Sequence, residues 1–238
     1  SRFPGKPLAL INNVPMIGHV YNRVSSAKIL NKTVVATCDT EIATYIESIN
    51  GQAIMTSKDH ERASDRCAEA LLHVEKEDGI KYDLVVMVQG DEPMTSPDMI
   101  EDAINPMIKD ESIQVANLLG KIKNEEEFED RNCIKVVCDK YSNALYFSRE
   151  PIPTRFKSNV VPMGKQVCII PFRRDFLISY TSWEETPLES IESIDMMRIL
   201  ENGFKVKMIP TKGISFAVDT INDLKRVESI MGEEFFKK

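Results

Sequence analysis

The sequence predicts an α/β fold: a doubly wound, mostly parallel sheet with helices on both faces and a smaller mixed β subdomain. Three observations carry that expectation. Short apolar runs alternate with amphipathic helical patterns from Val14 up to Asp91. The run Val85-Val86-Met87-Val88 reads as a central strand buried on both faces, and it breaks abruptly into Gln89-Gly90-Asp91-Glu92-Pro93. Beyond Pro93 the period changes, with a helix followed by several strand-like runs.

Each element has a local cause. In Ser1-Arg2-Phe3-Pro4-Gly5-Lys6-Pro7, two cations flank a Pro-Gly turn, which suits either a phosphate-cradling loop or a basic tail. Such a loop normally hangs from a strand, so a strand is expected upstream of Ser1. Pro15 opens a helix whose apolar residues Ile17, Val20, Tyr21 and Val24 recur at helical spacing. Thr33–Cys38 reads as a strand, and Asp39-Thr40 caps a helix through Ile42, Tyr45, Ile46 and Ile49 that Asn50-Gly51 ends. Ala53–Thr56 is a third strand. The polar stretch Ser57–Arg66 then leads into a helix carrying Ala68, Leu71, Leu72 and Val74. That stretch is either a nucleotide-contacting loop or a solvated helix start, and His60 alone does not make a metal site.

Ser96-Pro97 starts a helix through Ile100, Ala103, Ile104 and Met107. Strands are expected at Gln114–Leu119, Cys133–Cys138, Ala144–Phe147 and Val167–Phe172. Residues 124–130 read as a solvated acidic helix, 139–143 as a hairpin turn, and the segments around 152–155 and 162–164 as exposed loop. From Pro187 a single helix is predicted, with Leu188, Ile191, Ile194, Met197 and Leu200 as its apolar stripe and Glu189, Glu192 and Asp195 as an acidic row. Asn202-Gly203 ends it. Lys205–Ile209 is a strand, and Asp219-Thr220 caps a last helix from Asn222 to Met231. The whole chain, 1–238, reads as one domain, with about 133–175 as its smaller β region.

Composition narrows the function. The chain has 238 residues, 42% hydrophobic and 28% charged, which is ordinary for a globular protein. A net charge of −7 without a basic block favours neither a nucleic-acid groove nor an anionic membrane surface. An odd number of scattered cysteines, five in all, points to small reduced core thiols and a cytoplasmic location. No apolar run approaches a membrane span, and no signal peptide is read.

Asp91 falls at the carboxyl end of its strand, where open α/β sheets bind ligands. A carboxylate there either holds a hard cation such as Mg²⁺ beside substrate phosphates or merely caps the next helix.

Taken in order, Ser1-Arg2-Phe3-Pro4-Gly5-Lys6-Pro7-Leu8, Val34-Val35-Ala36-Thr37, Val88-Gln89-Gly90-Asp91-Glu92-Pro93, Lys135-Val136-Val137, Ala144-Leu145-Tyr146-Phe147-Ser148-Arg149, Pro187-Leu188-Glu189 and Val218-Asp219-Thr220 resemble the CMP-Kdo synthetases. These are cytidylyltransferases that activate 3-deoxy-D-manno-octulosonate, and the likeness covers nearly the whole chain. It implies a Rossmann-like nucleotidyltransferase sheet and transfer of CMP from CTP to the anomeric hydroxyl of Kdo or a related ulosonic acid, releasing pyrophosphate. Lipopolysaccharide biosynthesis is the implied setting. By resemblance, Arg2 and Lys6 face the triphosphate, Arg66 and Gln89 line the nucleotide site, and Asp91 and Asp219 hold Mg²⁺. Lys6, Asp91 and Asp219 are the implied catalytic set. Gln89, Arg149, Gln166, Glu192 and Asp195 stand on the sugar side, with Arg149 gripping the sugar's carboxylate. A homodimer built partly by the smaller β region is also implied.

The sequence departs from the family on that side. Gln166 and Ile170 stand where the family carries His and Tyr, Asp195-Met196 where it carries Glu-Gln, and Ala63 where it carries Gly. Two other readings are a glycosyltransferase using a nucleotide sugar and a nucleotide-binding homologue without chemistry. Pyrophosphate release separates the first from cytidylyl transfer, and CTP binding without turnover marks the second.

Overall fold

The structure, a computed structural model, describes residues 3, 5–157 and 164–235. Gly5 adopts a left-handed conformation (φ 71°) that lets the chain turn into the 3₁₀ turn Lys6–Leu8. Strands β1 (Leu10–Ile11) and β2 (Val14–Pro15) follow as an antiparallel hairpin. Its two-residue turn, Asn12-Asn13, has positive φ at both positions, the geometry that matches strand twist. Pro15 then caps α1 (Met16–Ser25). β3 (Val35–Thr37) runs into α2 (Thr40–Ser48), whose first N–H groups are accepted by the Asp39 carboxylate. β4 (Ala53–Met55) pairs with β3 in parallel, and α3 (Ala63–Asp78) ends at a left-handed Gly79.

β5 (Leu84–Val88) leads through the Gln89–Ser96 loop into α4 (Pro97–Lys109). Next come β6 (Ala116–Lys121), α5 (Glu125–Glu129), β7 (Lys135–Cys138) and β8 (Ala144–Ser148). β9 (Gly164–Val167), β10 (Ile169–Arg173), α6 (Arg174–Thr181), α7 (Pro187–Glu192) and α8 (Met196–Glu201) follow. β11 (Lys207–Pro210) and α9 (Ile221–Phe235) complete the order.

Two compact units result. The first comprises Ser1–Lys81, Val88–Glu101 and Gly213–Lys238; the second comprises Tyr82–Met87 and Asp102–Lys212. In the first, β1, α1 and α9 close over a core of Ile11, Met16, Met94, Val218, Val227 and Met231, against which Phe3, Phe216, Leu224 and Ile230 pack. The second is built on a mixed sheet of order β11-β6-β9-β7-β8, parallel at β11–β6 and antiparallel elsewhere. The 133–175 stretch supplies β7, β8, β9 and β10 to this unit. Phe172 stacks on Tyr180, and Trp183 on Phe204, at the α6 side.

The α/β class is as the sequence implied, and several details differ. Among the described ladders β5 pairs with β10; Met87 is its fully buried residue and the others are partly buried. The run 167–172 is two strands, because the ladders break at Cys168 and β9 and β10 take different partners. α6 was not foreseen, although Phe176, Leu177 and Tyr180 give it a buried face. The long helix from Pro187 is two short ones. Ser193 is left-handed there (φ 52°), which ends α7 and turns the acidic row out of line. Glu189 is consequently buried and paired with Arg198 instead of facing water. None of the five cysteines is fully buried, against the expectation of core thiols, and none forms a disulfide.

Candidate active site

Lys6, Asp91 and Asp219 come together in the first unit. The Lys6 Nζ donates to Asp91 Oδ2 at 2.7 Å and to Asp219 Oδ1 at 3.1 Å. Three local devices bring this about. The left-handed Gly5 and the bonds Lys6 N–H to Phe3 O and Leu8 N–H to Gly5 O fold the N-terminal loop around the lysine. At the end of β5, Gly90 permits close approach of the loop to Ile17, whose Cδ1 would lie 3.0 Å from any added Cβ. At α9, Thr220 accepts from Asp223 N–H, and the Asp223 carboxylate accepts from the N–H groups of Thr220 and Asp219, a capping box that holds the Asp219 backbone. The Val218 N–H to Asp91 O bond, 2.9 Å, then ties the two carboxylate-bearing segments together.

Burial opposes charge on the Lys6 ammonium, but Asp91 and Asp219 outweigh it and hold its pKa above the ordinary lysine value. Asp91 Oδ1 is buried without a hydrogen-bond partner among the described residues. An unfilled carboxylate oxygen beside a second carboxylate is the donor set a hard cation prefers, so these residues fit Mg²⁺ shared with substrate phosphates.

Arg66, also in the first unit, folds back over the 56–60 loop. Its guanidinium donates to Thr56 Oγ1, Ser57 O and His60 O, while Glu69 accepts from Ser57 N–H and contacts His60. The polar stretch before α3 is thus an ordered loop pinned by the helix that follows it. Gln89 O accepts from Glu92 N–H in the loop after β5, beside Asp91. Arg2 lies outside the described residues.

The sugar-side candidates lie in the second unit. Three of the five N–H donors of the Arg149 guanidinium are engaged by backbone carbonyls. Its Nε, Nη1 and Nη2 donate to the carbonyls of Glu192, Arg131 and Ser193 at 2.7, 3.0 and 3.1 Å. Glu192 is likewise engaged, accepting from Tyr146 Oη, Ser148 Oγ and the Arg149 N–H. Sequence reasoning missed the hub of this network, Lys135, which is fully buried and gives its ammonium to the carbonyls of Asp130, Cys133 and Arg149. A lysine set in an apolar run, between Ile134 and Val136, was the available signal. Gln166 Nε2 donates to the buried Asn117 at 2.7 Å, and the Asp195 carbonyl accepts from Tyr180 Oη. Ile170 and Met196, at two of the departing positions, are buried core side chains.

Comparison with known proteins bears on this geometry. The cytidylyltransferase family profile matches residues 1–209. A 3-deoxy-manno-octulosonate cytidylyltransferase of Syntrophotalea carbinolica is 40% identical over 238 residues, covering 96% of this chain and 93% of that protein. Another, from Geobacter metallireducens, is 38% identical over 95% of this chain and 91% of its own length. A solved CMP:2-keto-3-deoxy-manno-octonic acid synthetase complexed with CTP superposes with a TM-score of 0.88 at 34% identity, covering 98% of this chain and 94% of that one. At 13% identity, a 4-diphosphocytidyl-2C-methyl-D-erythritol synthase from Anaerococcus prevotii shares the fold with a TM-score of 0.61.

Proposed function

The chain belongs to the cytidylyltransferase family and is a nucleotidyltransferase; from that premise we propose that it transfers CMP from CTP to 3-deoxy-manno-octulosonate and releases pyrophosphate. The observation that carries this reading is the convergence of Lys6, Asp91 and Asp219 on one point of the first unit, in a chain 34% identical to a CTP-bound synthetase.

The chemistry asks for that convergence. Attack of the sugar's anomeric hydroxyl on the α-phosphorus forms one P–O bond, breaks the bond to the β-phosphate oxygen and builds negative charge on the phosphoryl oxygens. Lys6 meets that charge with a cation held above its ordinary pKa and carried on a loop already folded around it. Asp91 and Asp219 would hold Mg²⁺, which would supply charge screening for the phosphates and a lowered pKa for the attacking hydroxyl. Gln89 stands beside the metal carboxylate on the nucleotide side, and Arg66 keeps its loop in shape for the base or ribose. Arg2 is the second cation that the family resemblance assigns to the triphosphate.

On the acceptor side, Arg149 and Glu192 serve as frame, bound to backbone and to each other, while Gln166 and Asp195 remain the polar candidates for contact. A homodimer in the cytoplasm completes the reading; no helix among the described residues is long and apolar enough to cross a membrane. Incubating the protein with CTP, Mg²⁺ and a panel of ulosonic acids tests the assignment. CMP-Kdo in the product mixture supports it; failure with every acid, or consumption only of a non-octulosonate, overturns the Kdo assignment.

A further inference from the structure

Asp219 reaches Asp91 on a segment, Gly213–Val218, that forms neither helix nor strand. The capping box of α9 fixes this segment from its C-terminal end. Nearer its start, the Ser215 hydroxyl donates to Glu92 Oε2, in direct hydrogen-bond contact across 123 positions of sequence. Both side chains are buried, at 5% and 4% exposure, where such a bond to a carboxylate is stronger than in water. Glu92 adjoins Asp91 in the chain, and Ser215 precedes Asp219 by one short stretch without helix or strand. The contact therefore ties the two cation-facing carboxylates through their neighbours, in parallel with the Val218 N–H to Asp91 O bond.

We propose that Ser215 and Glu92 are positioning residues that set the gap between the Asp91 and Asp219 carboxylates, and with it their affinity for a divalent cation. Mg²⁺ tolerates little departure from octahedral geometry, so a gap that drifts is expected to cost affinity before it costs the fold. Neither residue touches the cation or the phosphates in this account. The inference rests on Asp91 and Asp219 being the cation ligands.

The test uses the full chain with Mn²⁺ as the probe. Its uptake in the presence of CTP is followed by loss of the free-ion electron paramagnetic resonance signal, with CTP alone subtracted. Thermal midpoints are recorded in parallel. Protein-dependent uptake by the unaltered chain, lost in Asp91→Asn, establishes the ligand assignment on which the rest depends. Ser215→Ala is then expected to weaken Mn²⁺ binding about tenfold, the effect of losing one hydrogen bond to a charged group. Glu92→Gln keeps an acceptor for the Ser215 hydroxyl and is expected to stay within about threefold of the unaltered chain. Unchanged Mn²⁺ affinity in Ser215→Ala, whatever its melting temperature, overturns the positioning role and leaves the ligand assignment standing. So does a loss in Glu92→Gln as large as in Ser215→Ala, which would make charge and not position the cause. Should Ser215→Ala fail to fold, Ser215→Cys replaces it: the weaker donor predicts an intermediate loss, and unaltered affinity there refutes the role. If the unaltered chain takes up no Mn²⁺, the ligand assignment falls and the inference with it.

Discussion

Asp91 and Asp219 share one ammonium: Lys6 Nζ lies 2.7 Å from the first and 3.1 Å from the second, and 213 positions of sequence separate Lys6 from Asp219. Two carboxylates this close repel one another unless a cation lies between them, so the arrangement is electrostatically sensible only with Lys6 or a metal in that place. The same three side chains therefore tie together the fold of the first unit and are the ones proposed to carry its chemistry.

Removing the ammonium while keeping the carboxylates isolates its part. Lys6→Ala is expected to lower kcat/KM for CTP by roughly a hundredfold, the usual scale for one preorganised charge at a phosphoryl group. Steady-state kinetics with saturating sugar acid checks it, and kcat/KM for CTP within twofold of the unaltered enzyme would remove Lys6 from the catalytic set.

The second unit's buried ion pair gives a stability prediction. Arg198 Nε donates to Glu189 Oε2 at 2.7 Å, and its guanidinium also reaches Glu189 Oε1, the Trp183 carbonyl and the Tyr180 ring. Arg198→Met leaves a carboxylate that is 0% exposed without its cation. The expected cost is about 3–5 kcal/mol in urea unfolding. A loss below about 1 kcal/mol would mean that the pair is not the buried anchor described.

Ser193 offers a change in the other direction. It is left-handed at the end of α7, where an L side chain is strained and glycine is not. Ser193→Gly should therefore raise stability by about 1 kcal/mol, roughly 2–4 °C in melting temperature for a chain of this size. A lowered midpoint would show that the serine contributes more than its backbone strain costs.

Cys133 gives the pH dependence. Burial pushes its thiol up to about 11, with Lys165 opposing and Glu127 adding to the rise. Only the thiolate attacks alkylating reagents, so at pH 8 roughly one molecule in a thousand is reactive at this position. Iodoacetamide labelling of Cys133, mapped by mass spectrometry, should be slow at pH 8 and accelerate tenfold per pH unit toward about 11. A rate that levels off near pH 8.5 would contradict the burial seen here.

Much of this was legible in the sequence, and the reason is local chemistry. Asp39 and Thr220 cap the helices they precede because a short polar side chain can reach the free N–H groups of the first turn. Gly5 turns the N-terminal loop because glycine adopts a positive φ cheaply, and Gly90-Asp91 ends β5 as the abrupt change in residue type implied. The Asn12-Asn13 hairpin had a readable signal that periodicity alone passes over. What was not legible depended on partners distant in sequence. Nothing near Arg149 announces that its guanidinium will meet the carbonyls of Arg131, Glu192 and Ser193, nor does anything near Glu92 announce Ser215. The regular stripe from Leu188 to Leu200 likewise concealed the break at Ser193, since an apolar period persists through a single left-handed residue.

The most direct test of the central claim is pyrophosphate release from CTP and Kdo by Asp91→Asn beside the unaltered enzyme. Replacing that carboxylate by an amide removes the proposed cation ligand and leaves side-chain volume unchanged, so turnover should fall by about a thousandfold or more while the melting temperature moves by only a few degrees. Turnover preserved in the variant would show that Asp91 and its convergence with Asp219 do not carry the reaction.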